Sequence, residues 1–147
     1  MVIGIIGESC TGKSTLAGQL KSLLGAEVYA GKDYLRLAKN EAVAKKLFRK
    51  KLEEAISGPH MIYVISEQEH LPLLPDNAYR VLVTADLDII KERFSHRMRG
   101  ELPGAVAAML ERKHGCFDGE KWDIHVVSGQ YDLDAVCGAI RDGINAS

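Results

Sequence analysis

Apolar residues are grouped along this chain in short runs of almost continuous hydrophobicity. Runs of this kind are typical of strands that are covered on both faces, because no position alternates toward water. The pattern predicts strands at residues 2–6, 61–65 and 80–84. Two short segments in which apolar residues are interrupted by polar ones predict further strands at 26–30 and 122–127. Polar residues follow several of these runs directly, so we expect functional side chains at the strand ends.

Between the runs, apolar residues recur every three or four positions, which indicates helices. A first helix is predicted at 13–24, where Gly25 can end it in a left-handed conformation. Further helices are predicted at 34–57, after Asp86, at 104–114 and after Asp132. Strands that alternate with helices predict an α/β fold of three layers, α/β/α, with a five-stranded parallel sheet.

Composition and charge limit the number of domains and the kinds of partner that we expect. The 147 residues, 46% of them apolar, are enough for one core and show no composition break, which predicts a single domain over 1–147. A formal net charge of −1 creates no field that would attract nucleic acid or a membrane surface, so neither partner is expected. The three cysteines form no C-x-x-C pair, and no apolar run approaches the ~20 residues that span a bilayer. A reducing cytoplasm is the expected compartment.

The strongest motif, G-x-x-x-x-G-K-S, occupies residues 7–14, directly after the first predicted strand. Such a loop wraps its backbone N–H groups around a polyphosphate, and the N-terminus of the following helix adds partial positive charge. Lys13 can reach the β- and γ-phosphates, and Ser14 can ligate Mg²⁺. We predict ATP and Mg²⁺ as cofactors, with the nucleotide bound by Gly7, Glu8, Ser9, Cys10, Thr11, Gly12, Lys13, Ser14 and Thr15.

With this loop first, strands alternating with helices, and arginines after strand four, the chain resembles the nucleoside monophosphate kinases of the P-loop group, cytidylate kinases in particular. The resemblance implies the P-loop NTPase fold, an acceptor-binding helix, which would lie at 34–57, and a lid, which would lie at 93–104; both segments are shorter in this chain than is usual in that group. It also implies that Asp33, Tyr34 and Arg36 hold the acceptor and that residues 128–130 touch the adenine. Shikimate and adenylylsulfate kinases are a competing resemblance, because they carry an aspartate in a place comparable to Asp33.

Three arginines are the predicted cations of the lid. Phosphoryl transfer needs positive charge that closes on the γ-phosphate, and arginine side chains suit that task. Arg93 and Arg97 are four residues apart and share a helix face, whereas Arg99 follows in a break. A solvated helix surface is the alternative interpretation. We predict that Arg97, with Arg93 or Arg99, joins Lys13 in catalysis.

Two carboxylates at strand ends have two interpretations each. Asp33, after the second strand, can accept the proton of an acceptor hydroxyl as a general base, or it can cap the helix that follows. An acceptor that is itself a phosphate would need no base. Glu67, at the tip of the third strand, can contact Mg²⁺ or its water ligands, or it can face solvent.

The sequence thus predicts an ATP-dependent kinase that transfers the γ-phosphate to a nucleoside monophosphate or a similar small anionic metabolite. One alternative is a kinase for a hydroxyl group of a small metabolite, with Asp33 as its base. The other is a nucleotide-binding switch with slow ATPase activity and no acceptor. The oligomeric state is not specified by the sequence.

Overall fold

The computed structural model describes residues 1–146, and side chains as far as Gly143; Ser147, the last residue of the predicted domain, lies outside the described part. The strands are β1 (Val2–Ile6), β2 (Glu27–Ala30), β3 (Met61–Ile65), β4 (Tyr79–Thr84) and β5 (Ile124–Val127). The α-helices are α1 (Lys13–Leu24), α2 (Glu41–Ala55), α3 (Leu87–Arg97), α4 (Gly104–Lys113) and α5 (Leu133–Ala146). Two 3₁₀ helices, Asp33–Leu37 and Gln68–Leu73, follow β2 and β3.

All strand pairs are parallel, in the order β2-β3-β1-β4-β5. β1 and β3 are buried at every position, which explains why their sequences are continuous apolar runs. The carboxyl ends of all strands lie at one edge, and β1 stands where the chain turns from one half of the sheet to the other. The predicted fold class, a three-layer α/β/α arrangement around a five-stranded parallel sheet, is confirmed.

The two faces of the sheet carry separate hydrophobic cores. One face packs against α1 and α5, through residues such as Leu16, Leu20 and Ile140. The other face packs against α2, through Phe48 and Leu52. Because helices cover both faces, the sheet leaves its carboxyl edge as the place where backbone and side chains can meet a ligand.

The prediction of a single helix at 34–57 is wrong. Residues 33–37 form a 3₁₀ helix, the chain is extended at Ala38 (φ −162°, ψ 157°), and α2 begins only after Asn40. Asn40 is the physical reason, because its side-chain oxygen accepts the backbone N–H of Val43 at 3.1 Å and starts a new helix there. The amphipathic pattern continues across the interruption because the 3₁₀ helix packs on the same core as α2.

Other boundaries lie close to the predicted ones. β5 begins at Ile124 rather than at residue 122, and Gly25 ends α1 with φ 64°, as its position indicated. Residues 98–103, between α3 and α4, form no helix. Across residues 1–146, no helix combines the length and the hydrophobicity that a membrane span requires.

Gly7→Ala is expected to destabilise the fold, because a Cβ at this position would lie 2.3 Å from the carbonyl oxygen of Val83 in β4. That oxygen belongs to the backbone of the sheet, so it cannot move without disturbing the strand. We therefore expect the free energy of unfolding to fall by about 2–3 kcal/mol. Gly18→Ala is the matched control. Its added Cβ meets no atom within 4 Å. At an exposed helix position, replacing glycine by alanine stabilises the folded state by about 0.5–1 kcal/mol.

Thermal denaturation followed by circular dichroism measures both variants. The melting temperature should fall for Gly7→Ala and rise slightly for Gly18→Ala. An unchanged or higher melting temperature for Gly7→Ala would contradict the close approach of loop and strand.

Candidate functional site

The loop at residues 7–12 joins β1 to α1 at the carboxyl edge of the sheet. The backbone N–H of Gly7 donates to the carbonyl of Ile65 at the end of β3, at 3.1 Å. Cys10 and Gly12 both adopt positive φ, 65° and 90°, which turns the chain back toward the helix. Among the described residues, no acceptor engages the backbone N–H groups of residues 8–14. The loop therefore presents a row of free donors, as an anion-binding loop does.

Lys13 lies within this loop and is only 5% exposed. Its Nζ donates to the carbonyl oxygen of Glu8, which also accepts the hydroxyl of Thr11 at 2.8 Å. The pKa of Lys13 is lowered from 10.5 to about 8, mainly by burial. The positive charge of Arg97 contributes to this lowering, whereas Cys10 and Glu8 oppose it. A buried ammonium group with a single carbonyl partner has donors left over, and it can bind an anion with them.

Two cavities are lined by Cys10, Gly12 and the first turn of α1. The smaller, about 140 Å³, is lined by Ser9, Lys13, Ser14, Ser66 and Arg97, among others. The larger, about 630 Å³, extends from the loop to α5 and the segment before it, and the two cavities share Cys10, Gly12, Thr15 and Arg97. A third cavity of about 690 Å³ has none of the loop residues in its walls. Size alone therefore does not identify the site; the free donors of the loop do.

Two of the three predicted arginines reach the loop. Arg93 donates from Nη1 to the carbonyl of Cys10 at 3.0 Å and to the hydroxyl of Ser128 at 2.9 Å. Arg97, one turn later on α3, lines both cavities. Arg99 is exposed, has φ 61°, and is absent from the walls of these two cavities. The structure thus brings Arg93 and Arg97, but not Arg99, to the loop, and Arg97 shares the small cavity with Lys13.

The two predicted metal ligands are placed differently. Ser14 lines the small cavity beside Lys13, which is the position that a hydroxyl ligand of Mg²⁺ requires. Glu67 is exposed and accepts Nζ of Lys113 at 3.2 Å, and it is absent from the wall of that cavity. The described residues contain no cluster of three His, Cys, Asp or Glu side chains that could hold a metal ion. A bound Mg²⁺ would therefore depend on Ser14, the nucleotide and water.

The three residues predicted to hold the acceptor lie just beyond β2. Asp33 is exposed, and its Oδ2 accepts the backbone N–H of Ala30 at 2.9 Å. Tyr34 is only 1% exposed and donates its hydroxyl to Glu41. Arg36 donates to the carbonyl of Asp33, and its guanidinium lies 4.8 Å from the ring centroid of Tyr29. Asp33 and Arg36 are therefore exposed polar groups, whereas Tyr34 is not, and none of the three is in the walls of the two loop cavities.

Sequence reasoning missed a connector over the loop, residues 113–117. The carboxylate of Glu8 accepts the backbone N–H of Gly115 at 3.2 Å and pairs with Nδ1 of His114 at 3.1 Å. The amide of Gln68 donates to the carbonyl of Cys116 at 3.0 Å, and Phe117 is buried in the α2 core. These contacts join residues far apart in the chain, so only the helix end at Gly115 could have marked the segment.

Sequence reasoning also missed His70, in the second 3₁₀ helix. Its side chain is 5% exposed, and neither ring nitrogen has a hydrogen-bond partner among the described residues. The sequence gives one signal only, a histidine in the polar segment that follows β3.

Comparisons with known proteins show which structures share this fold. No protein-family model and no curated protein matches the chain. Solved structures do match over almost the whole length. A gluconokinase from Sinorhizobium meliloti has a TM-score of 0.62 at 17% identity, with 99% of this chain and 94% of that one covered. A sugar kinase from Janibacter sp. HTCC2649 has a TM-score of 0.63 at 15% identity, with 98% and 94% covered.

A shikimate kinase from Bacteroides thetaiotaomicron has a TM-score of 0.61 at 12% identity, with 99% of this chain and 98% of that one covered. At such identities the likeness shows the fold alone. The chain therefore has the fold of P-loop kinases.

Proposed function

We propose that this protein is a small-molecule kinase that binds ATP with Mg²⁺ at loop 7–12 and transfers the γ-phosphate to a hydroxyl group. The proposal rests on one observation. The loop with its free backbone donors and the buried ammonium of Lys13 line a small cavity, which shares four wall residues with a larger one. A triphosphate fits the first cavity in charge and the attached nucleoside fits the second in size.

The larger cavity supports a position for the nucleoside. Its walls include Arg93, Ser128, Gly129 and Tyr131, which lie beyond the loop and away from Ser14. Within this arrangement Arg93 holds the loop backbone in place through Cys10, while Arg97 is free to turn toward the phosphates. Lys13 and Arg97 then neutralise the charge that develops on the transferred group. Mg²⁺, held by Ser14, supplies further neutralisation when it is bound.

Asp33 supports a hydroxyl acceptor. One carboxylate oxygen is fixed by the N–H of Ala30, and no hydrogen bond among the described residues engages the other. That oxygen can take the proton of the acceptor hydroxyl while the new oxygen–phosphorus bond forms and the bond between the γ-phosphorus and the β,γ-bridging oxygen breaks. The gluconokinase, sugar kinase and shikimate kinase with this fold are consistent with that chemistry.

A nucleoside monophosphate acceptor has less support. Its phosphate would need a cation, yet Arg36 is turned onto Tyr29 and the carbonyl of Asp33. Tyr34, the other predicted contact, is packed in the core. We also propose a cytoplasmic location, which the free thiols of Cys10, Cys116 and Cys137 support.

A coupled assay of ADP release tests the proposal. We expect ADP release to be stimulated by a hydroxylated acceptor from a panel of sugars, polyols, hydroxy acids and nucleoside monophosphates. Lys13→Ala is the blank and should lose the stimulated rate. A flat basal ATPase across the whole panel would contradict the kinase and support a nucleotide-binding switch.

The pKa of Lys13 predicts how nucleotide affinity depends on pH. In the free protein this ammonium group loses its proton as pH rises through about 8, and bound phosphates would hold the proton on. Affinity for MgATP should therefore be steady below pH 8 and fall by up to about tenfold per pH unit above it. Calorimetric titrations from pH 6.5 to 9.5 measure this fall.

Lys13→Arg is the control for that titration, because a guanidinium stays charged throughout the range. It should bind more weakly at neutral pH and show a much flatter profile. The same steep fall in both proteins would assign the pH dependence to another group.

Arg97→Ala is expected to reduce kcat about 100-fold or more while changing the Kd for ATP only a few-fold, because its charge matters most when the phosphoryl group is in transfer. Arg112→Ala, an exposed arginine on α4, is the matched control and should behave like wild type. Steady-state kinetics and calorimetry measure the two quantities. Comparable losses in both for Arg97→Ala would reduce its role to ground-state binding.

A further inference from the structure

His70 is a buried polar side chain that the fold leaves unsatisfied. The residue is 4% exposed, and neither Nδ1 nor Nε2 has a hydrogen-bond partner among the described residues. A neutral imidazole carries one donor and one acceptor, and leaving either unpaired in the interior opposes folding. A residue of this kind in a native protein calls for an explanation, and a ligand that completes its hydrogen bonds is one.

His70 packs against two buried phenols, one of which belongs to Tyr34, the residue after the proposed base Asp33. Its ring lies 6.1 Å from that of Tyr34, just after β2, and 6.5 Å from that of Tyr63 on β3. Both phenols donate their hydroxyls elsewhere, Tyr34 to Glu41 and Tyr63 to the carbonyl of Gly31. Burial raises the pKa of both phenols, so they stay protonated and keep these bonds. Neither has a hydroxyl proton left for the imidazole.

One exposed side chain covers His70 on its outer edge. Oε1 of Glu69 lies 3.6 Å from Nε2, which is beyond hydrogen-bond distance, and the side chain of Glu69 is 68% exposed. Rotation of an exposed glutamate side chain is fast and needs no change in the backbone. Nε2 is therefore one side-chain rotation away from a ligand.

The charges around this position disfavour an anionic group. Of the nearby cations, Lys113 is paired with Glu67, and Lys45 lies 3.9 Å from Glu41. The guanidinium of Arg36 lies over the ring of Tyr29 and donates to the carbonyl of Asp33 rather than to its carboxylate. The carboxylates of Asp33 and Glu69 have no lysine or arginine partner among the described residues. An acceptor that carried a phosphate or a carboxylate would bring a further negative charge to this pair, whereas hydroxyl groups can donate to it.

We infer that His70 is a specificity-determining residue of the acceptor site, and that it recognises a neutral polyhydroxylated acceptor. This inference rests on the proposed kinase function. One hydroxyl of the acceptor exchanges hydrogen bonds with Nε2 after Glu69 turns away, and a second donates to Asp33. The imidazole is unsatisfied in the free protein because its partner is the acceptor.

His70→Leu separates this role from a packing role. Removing an unsatisfied polar group should raise the melting temperature by about 2–4 °C, while the loss of a hydrogen bond should raise KM for the acceptor at least about tenfold. The Kd for ATP and kcat should stay within about threefold. His70→Gln, which keeps a donor and an acceptor, should restore part of the KM.

His60→Leu is the matched control. Nδ1 of His60 is also without a partner, but this residue precedes β3, at the opposite edge of the sheet. The control should change stability without changing KM for the acceptor. An unchanged KM in His70→Leu would overturn the inference.

The choice of acceptors distinguishes this inference from the proposed function. Glucose and gluconate share a carbon skeleton and differ in charge, so the inference predicts a higher kcat/KM for the neutral member of such pairs. Preference for gluconate or shikimate would overturn the inference and leave the kinase intact. Absence of transfer to every hydroxylated acceptor would overturn the kinase itself.

A measurement on the wild-type protein decides the matter if neither variant of His70 folds. The imidazole nitrogens of the five histidines are observable by nuclear magnetic resonance. In the presence of a non-hydrolysable ATP analogue, the preferred acceptor should shift the signals of His70. Unshifted signals at saturating acceptor would overturn the inference.

Discussion

The hydrogen bond from the N–H of Gly7 to the carbonyl of Ile65 anchors the phosphate-binding loop that we propose at the carboxyl edge of the sheet. It joins the start of the loop to β3, while the absent side chain of Gly7 lets the loop approach the backbone of β4 at Val83. Two strands thus hold the loop from either side. Its N–H groups can point toward a ligand rather than toward each other, and Lys13 is buried among them.

Much of the fold could be predicted because its signals are local. Continuous apolar runs identified the strands, and Gly25 marked the end of α1. The motif at residues 7–14 predicted a phosphate-binding loop, because it lies between a predicted strand and a predicted helix. The interruption before α2 was not predictable from periodicity, because a single cap by Asn40 decides it against an unbroken hydrophobic pattern. The contacts of Glu8 with residues 114 and 115 depend on closure of the chain over about 100 residues, which no local pattern encodes.

The site that we propose has two ends that differ in charge, and this division follows from the topology. Lys13, Arg93 and Arg97 meet at the end of β1 and on α3, where phosphates would lie. Asp33 and Glu69 follow β2 and β3, on the other half of the sheet. A parallel sheet brings both groups to one edge while β1 keeps them apart. Such a separation suits transfer of an anionic group from a charged donor to an uncharged acceptor.

The position of a bound nucleotide is the most direct test of this account. A crystal structure with Mg²⁺ and a non-hydrolysable ATP analogue should show the triphosphate on the N–H groups of residues 8–14, with Nζ of Lys13 moved from Glu8 to the phosphates. The nucleoside should occupy the cavity beside Arg93 and Tyr131. A nucleotide bound elsewhere, or crystals that take up none at saturating concentration, would contradict it.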